Sequence, residues 1–144
     1  MKIDQPMDPD YDAVRIGFVG FADPYAMEGI SILETGDGRE FHMRAFSGEV
    51  AKFMSMYVSG MQAPVPSVYN MINDICEMSD LTLVKVKIYE SGSALRANLY
   101  FKGRTEMILR NYRASDALTL AAYLGVPILV RSTLLKKMDS EQVT

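Results

Sequence analysis

Arg113, Ser115 and Asp116 crowd together where an apolar, helix-spaced run begins. A helix N-terminus presents unpaired N–H groups, and a neighbouring guanidinium can hold a phosphate through two parallel hydrogen bonds. The Asp116 carboxylate could instead ligate Mg²⁺, a hard cation that prefers oxygen. The plainer reading is that Ser115 caps the helix and Asp116 complements its dipole. Glu49, in the first turn of an earlier helix, offers a second carboxylate or simply another dipole-compatible acid.

A second cluster alternates along two strands: Lys85, Lys87 and Tyr89, then Arg96, Tyr100 and Lys102, with Arg110 beyond. If the alternation holds, these side chains share one face. Cations neutralise phosphates and release counterions, while tyrosine rings stack on bases. The alternative is an ordinary solvated sheet face whose lysines protect exposed strands. His42 and Cys76 are each the only residue of their type, which excludes a recognisable zinc-finger spacing and an intramolecular disulfide framework. A Cys–His nucleophile would need those two to meet, yet Cys76 sits on an apolar helix face and His42 in a strand. The eleven methionines require no copper or haem, because Met54, Met61 and Met71 fall on apolar stripes. No P-loop or Rossmann glycine motif occurs.

The elements that must position these groups are legible in outline. Val14, Ile16 and Phe18 alternate as a strand from Ala13. Ile30–Glu34 and Glu40–Ala45 flank Thr35-Gly36-Asp37-Gly38, a hairpin turn. Ser47 caps a helix whose stripe is Val50, Phe53, Met54, Tyr57, Val58 and Met61, ending near Gly60. Gln62-Ala63-Pro64-Val65-Pro66 is a stiff connector, and Ser67 caps a second helix with Val68, Met71, Ile72, Ile75 and Cys76 on one face. The basic hairpin follows, turning at Ser91-Gly92-Ser93, then a strand over Thr105–Asn111. A third helix runs from Ser115 to Leu124 and stops at Gly125, with Pro127–Arg131 as a short buried strand and Ser132 capping a last helix through Met138. The expectation is an α+β fold, a mixed and largely antiparallel sheet packed by three to four helices in one compact domain.

The chain has 144 residues, 49% of them hydrophobic and 23% charged, which suits one domain and excludes disorder throughout. Residues 1–12 read as a flexible acidic arm, 13–138 as the domain and 139–144 as a tail. No apolar run approaches the roughly 18 residues of a transmembrane helix, and the N-terminus has no apolar signal core, so no membrane association and a cytoplasmic location are expected. The net charge of −3 conceals an asymmetry. Residues 1–40 hold nine acids against Lys2, Arg15 and Arg39, while residues 81–113 hold seven bases against Glu90 and Glu106. Net charge therefore excludes no partner; its placement permits nucleic acid.

Arg113-Ala114-Ser115-Asp116-Ala117-Leu118-Thr119-Leu120-Ala121, followed by Gly125-Val126-Pro127-Ile128-Leu129-Val130, resembles the signature of the bifunctional nuclease domain family. That signature reads R-P-S-D-A, an apolar helix, then G-x-P-I-x-V. Ser47-Gly48-Glu49 is similar to the family's glutamate-bearing helix start, and Pro64–Ile72 to its proline-containing approach to the next helix. The resemblance spans about Val14 to Leu135. It implies a compact α+β domain that forms a homodimer and acts on DNA and RNA by phosphodiester hydrolysis. Glu49, Ser115 and Asp116 are then the implied catalytic residues. Arg113, with Lys85, Lys87, Arg96, Tyr100 and Lys102, contacts substrate, and Glu49 with Asp116 conditionally holds Mg²⁺ or Mn²⁺. The chain departs from the family where Val68-Tyr69-Asn70 replaces the usual Thr-His-Asp, Asn111 an aspartate and Ala114 a proline. Losing a histidine and two carboxylates removes candidate bases and metal ligands together. The alternative expectation is a catalytically silent homodimeric ligand-binding or interaction module of the same fold.

Overall fold

In the computed structural model, which describes residues 8–137, eight strands form one mixed sheet and three α-helices pack against it. In chain order the strands are β1 (Tyr11–Phe21), β2 (Glu28–Glu34), β3 (Arg39–Ser47), β4 (Thr82–Ser91), β5 (Ala94–Lys102), β6 (Glu106–Arg113), β7 (Ile128–Arg131) and β8 (Lys136–Lys137). The helices are α1 (Gly48–Val58), α2 (Val68–Met78) and α3 (Ala114–Leu124). The sheet order is β6-β5-β4-β7-β1-β2-β3-β8. Every pairing is antiparallel except β4 with β7, so the sheet is mixed and largely antiparallel. That single parallel pair exists because α3 carries the chain from β6 back to the middle of the sheet, joining its two antiparallel halves.

Helices α1 and α3 pack on each other, α1 against β1–β3 and α3 against β4–β6. Their shared core is built from Ala51, Met54, Leu118 and Ala121 over Leu33, Val86, Ile88 and Val130, all essentially without solvent exposure. Small residues at Ala51, Ala117 and Ala121 let the helices approach closely. Gly48 is required by a contact of another kind: a Cβ there would lie 1.8 Å from the carbonyl oxygen of Ala26, so only glycine lets the β1–β2 loop rest on the start of α1. Gly125 ends α3 in the left-handed region at φ +68°, as a C-terminal glycine stop should.

Several expectations change. The strand expected from Ala13 begins at Tyr11, and Asp8 already contacts the sheet. The helix expected from Ser132 is a 3₁₀ turn over Ser132–Leu134, because Lys136 and Lys137 pair with Glu40 and Arg39 as β8; Met138 lies outside the described residues. Met54 is in the core, but Met61 and Met71 are more than half exposed. The apolar stripe of α2 is likewise only half used: Tyr69 and Cys76 are buried while Val68, Met71 and Ile75 face outward. Among the described residues no helix is long and apolar enough to cross a membrane.

Candidate phosphate-binding corner

The chain reaches α3 through a distorted strand. The β5–β6 register shifts between Ala97 and Leu99, and Asn111 takes φ +65°, a conformation costly for any side chain but tolerated best by asparagine. Asn98 Oδ1 accepts a hydrogen bond from the Asn111 amide at 3.1 Å, and the single Tyr89 hydroxyl proton lies within reach of the side-chain oxygens of both Asn98 and Asn111. The helix then starts at Ala114, with Arg113 in the cap position and no side-chain cap. Ser115 is therefore not the cap expected of it. It lies inside the first turn, more than nine-tenths buried. Its carbonyl accepts from Thr119 Oγ1 at 2.8 Å, whereas its own hydroxyl has no hydrogen-bond partner among the described residues.

That hydroxyl borders a cavity of about 360 Å³ at the corner where three segments meet. Arg44 and Ser47 come from the end of β3, Ser93 from the β4–β5 turn, and Arg113 and Ser115 from the start of α3. Ala45, between Arg44 and the helix start, holds φ +62°, so a second strained residue borders the same corner. The cavity collects two guanidinium-bearing residues, three serines and an uncapped helix N-terminus. Among the described residues its lining has no carboxylate. This set of donors and positive charge is the chemistry that suits an anion.

Asp116 lies on the far side of Arg113. Its carboxylate accepts from Arg113 Nε at 2.7 Å and from Nη2 at 3.1 Å, a bidentate pair between exposed side chains. This pairing raises the Arg113 pKa. Asp116 and Arg113 border an apolar groove of about 500 Å³ that runs between α2 and strands β5 and β6. Tyr69 lines it, its phenol pushed up to about 12 by burial first and the Asp116 charge second. Glu49 faces neither cavity. It lines a third, of about 770 Å³, with Lys52 and the Tyr25–Met27 loop. Ser47, which caps α1 by accepting from the Glu49 amide at 3.2 Å, is the only residue that this cavity shares with the corner.

This donor set does not fit a resident divalent metal. Glu49 and Asp116 line different cavities, and both Asp116 oxygens are taken by Arg113. No group of three or more His, Cys, Asp or Glu side chains converges among the described residues. His42 pairs with Glu40 at 3.0 Å, and the buried Cys76 thiol is pushed up by desolvation.

The basic hairpin keeps the expected facing: Lys85 opposes Tyr100, Lys87 opposes Asn98, and Tyr89 opposes Arg96. It is not a solvated face. Lys85, Lys87 and Tyr100 are buried, Arg96 is half-buried, and only Lys102 of this set is fully exposed. Lys87 is paired with Asp8 and lies over the rings of Tyr11 and Tyr100. The residues that the sequence does not single out are Arg44 and Ser93, together with a second use for Ser47. Nothing local ties them to Arg113, because their meeting depends on how the two sheet halves join.

The family model of the bifunctional nuclease domain matches residues 33–142. No curated protein matches the chain.

Proposed function

The chain belongs to the bifunctional nuclease domain family, and on that premise we propose that it acts on nucleic acid by seating a backbone phosphate in the corner at the start of α3. The observation that carries this reading is Ser115, a residue more than nine-tenths buried that lines that cavity and whose solvent-reachable hydroxyl has no protein hydrogen-bond partner among the described residues. A phosphate there accepts from that hydroxyl, from the first-turn amides of α3 and from Arg44. Arg113 takes part without releasing Asp116. Its Nε and one Nη2 hydrogen serve the carboxylate, which leaves the two Nη1 hydrogens out of that pair. Asp116 is thus a positioning residue for Arg113. In the finer, hydrolytic part of the reading Arg113, held by Asp116, stabilises charge developing on the phosphoryl oxygens. Glu49, across Ser47, is placed for substrate flanking that phosphate rather than for a shared metal.

Binding of labelled single- and double-stranded DNA and RNA across a salt series tests the corner. Arg44→Ala weakens binding about tenfold and lowers the salt slope by about one, the mark of one lost phosphate contact. Unchanged affinity sinks the proposal. Incubation with Mg²⁺, Mn²⁺ or EDTA beside Asp116→Ala tests hydrolysis: cleavage lost in the variant supports it, and equal cleavage assigns the activity elsewhere.

The second reading, a homodimeric interaction module, is favoured by one observation. Val68, Met71 and Ile75 of α2 form an exposed apolar face, and Met107 and Tyr112 of the edge strand β6 are also exposed. A second copy seated there predicts a dimer in sedimentation that Met71→Glu with Ile75→Glu dissociates. A monomer in both rejects it.

A further inference from the structure

The tyrosine-lined basic face of β4 and β5 has an occupant, and the occupant is an anion. The carboxylate of Asp8 reaches in from ahead of β1 and pairs with the Lys87 ammonium. Both side chains are more than nine-tenths buried. Around that pair the sheet is built from cations on rings. Lys87 stands 4.8 Å from the centre of Tyr11 and 5.3 Å from that of Tyr100, which also carries Lys85 at 5.3 Å. Arg131 of β7 lies over Tyr11 and Tyr89 at 5.8 and 5.5 Å. A buried ammonium is stable only when paired, so this arrangement needs an anion at that point. The fold needs an anion there; it does not need Asp8 to supply it.

We infer that this face is a second phosphate-contact surface, held closed by Asp8 acting as a strap that the backbone of single-stranded nucleic acid displaces. A phosphodiester carries the same single charge as a carboxylate and exposes two acceptor oxygens to Lys87. The exchange is between Asp8 and the phosphodiester backbone, because the rings of Tyr11, Tyr89 and Tyr100 stay covered by Lys85, Lys87 and Arg131. Asp8 is suited to leave. It precedes the first strand, and among the described residues its other hydrogen bonds come from two nearby amides, Asp10 to its side chain and Tyr11 to its carbonyl, each at 3.1 Å. The firmer anchor lies further along the chain, where Asp12 binds Arg39 at 3.1 Å and Ser132 at 2.7 Å, so β1 stays in place while Asp8 swings. This inference rests on the nucleic-acid reading above but on different residues from the corner.

The experiment compares full-length wild type, Asp8→Asn and Asp8→Asn with Lys87→Met for binding of a short labelled oligothymidylate and the matching oligouridylate across salt. Asp8→Asn tightens binding about threefold or more and steepens the salt slope by about one, and adding Lys87→Met reverses both changes. Unchanged affinity in a folded Asp8→Asn overturns the inference and leaves the pair a structural tether. In the wild-type chain, titration with oligothymidylate shifts the amide resonances of Asp8 and Asp10 if the strap is displaced; silent resonances at saturation overturn it whatever the variants do. The two readings fail separately. Binding that depends on Arg44 but not on Asp8 removes the strap alone. Binding that appears in Asp8→Asn and ignores Arg44 removes the corner alone.

Discussion

Two helix starts, α2 and α3, are made of similar residues and are finished in opposite ways. At α2 every polar atom is spent. Ser67 Oγ accepts from the amides of Tyr69 and Asn70, Asn70 Oδ1 accepts from the Ser67 amide at 2.8 Å, and Ser67 and Tyr57 share a hydrogen bond at 2.9 Å. The remaining Asn70 donor goes to Tyr123 at 2.8 Å, and the rings of Phe53, Tyr57, Tyr69 and Tyr123 pack around the network. At α3 there is no side-chain cap, and the Ser115 hydroxyl has no hydrogen-bond partner among the described residues. The difference teaches where polarity stabilises and where it is kept available. Capping is worth about 1 kcal/mol, so an uncapped start on a helix packed into the core forgoes stability that a ligand can restore.

The contrast can be broken most forcefully with alkali. Tyr69 has its folded-state pKa raised above the unfolded value of about 10, so its contribution is complete below pH 10 and is lost as pH rises through about 12. Two units correspond to about 2–3 kcal/mol, and a urea titration of wild type against Tyr69→Phe isolates that loss. If both lose stability equally, the α2 start is less closed than its bonds imply. Ser67→Ala comes next. It removes two cap bonds and the Tyr57 partner, costing about 1–2 kcal/mol and a few degrees in Tm, while nucleic-acid affinity stays put. Smallest is Ser115→Ala, which changes stability by less than about 0.5 kcal/mol yet weakens nucleic-acid binding about threefold. A Ser115→Ala protein as destabilised as Ser67→Ala would erase the distinction between the two starts.

Much of the architecture is legible in the chain. The Thr35–Gly38 turn, the Ser47 and Ser67 caps, the Gly125 stop and the alternation across β4 and β5 depend on groups a few residues apart, and each is found where it is expected. The misreadings share one cause. Met61 and Met71 satisfy the helical period but find no partner. Lys85 and Lys87 satisfy the strand period but are buried, Lys87 under Asp8, some 80 residues earlier, and Tyr11, and Lys85 over Tyr100. Periodicity says which side chains share a face; it does not say what lies over that face. The site divides the same way. Arg113, Ser115 and Asp116 announce themselves by spacing, whereas Arg44 and Ser93 join them only after β7 has been inserted between β4 and β1.

The sequence by itself determined the α+β class, the capped starts of α1 and α2, the glycine stop of α3, and the family to which the chain belongs, because each rests on short-range backbone preferences and on a motif read in order. Tertiary structure alone decided which polar groups stay unpaired. It gave Asp116 to Arg113, Asn70 to Tyr123 and Lys87 to Asp8, and left Ser115 lining a cavity with two arginines. A hydrogen bond or ion pair needs two groups within about 3 Å, and over separations of tens of residues only the packed fold brings them there.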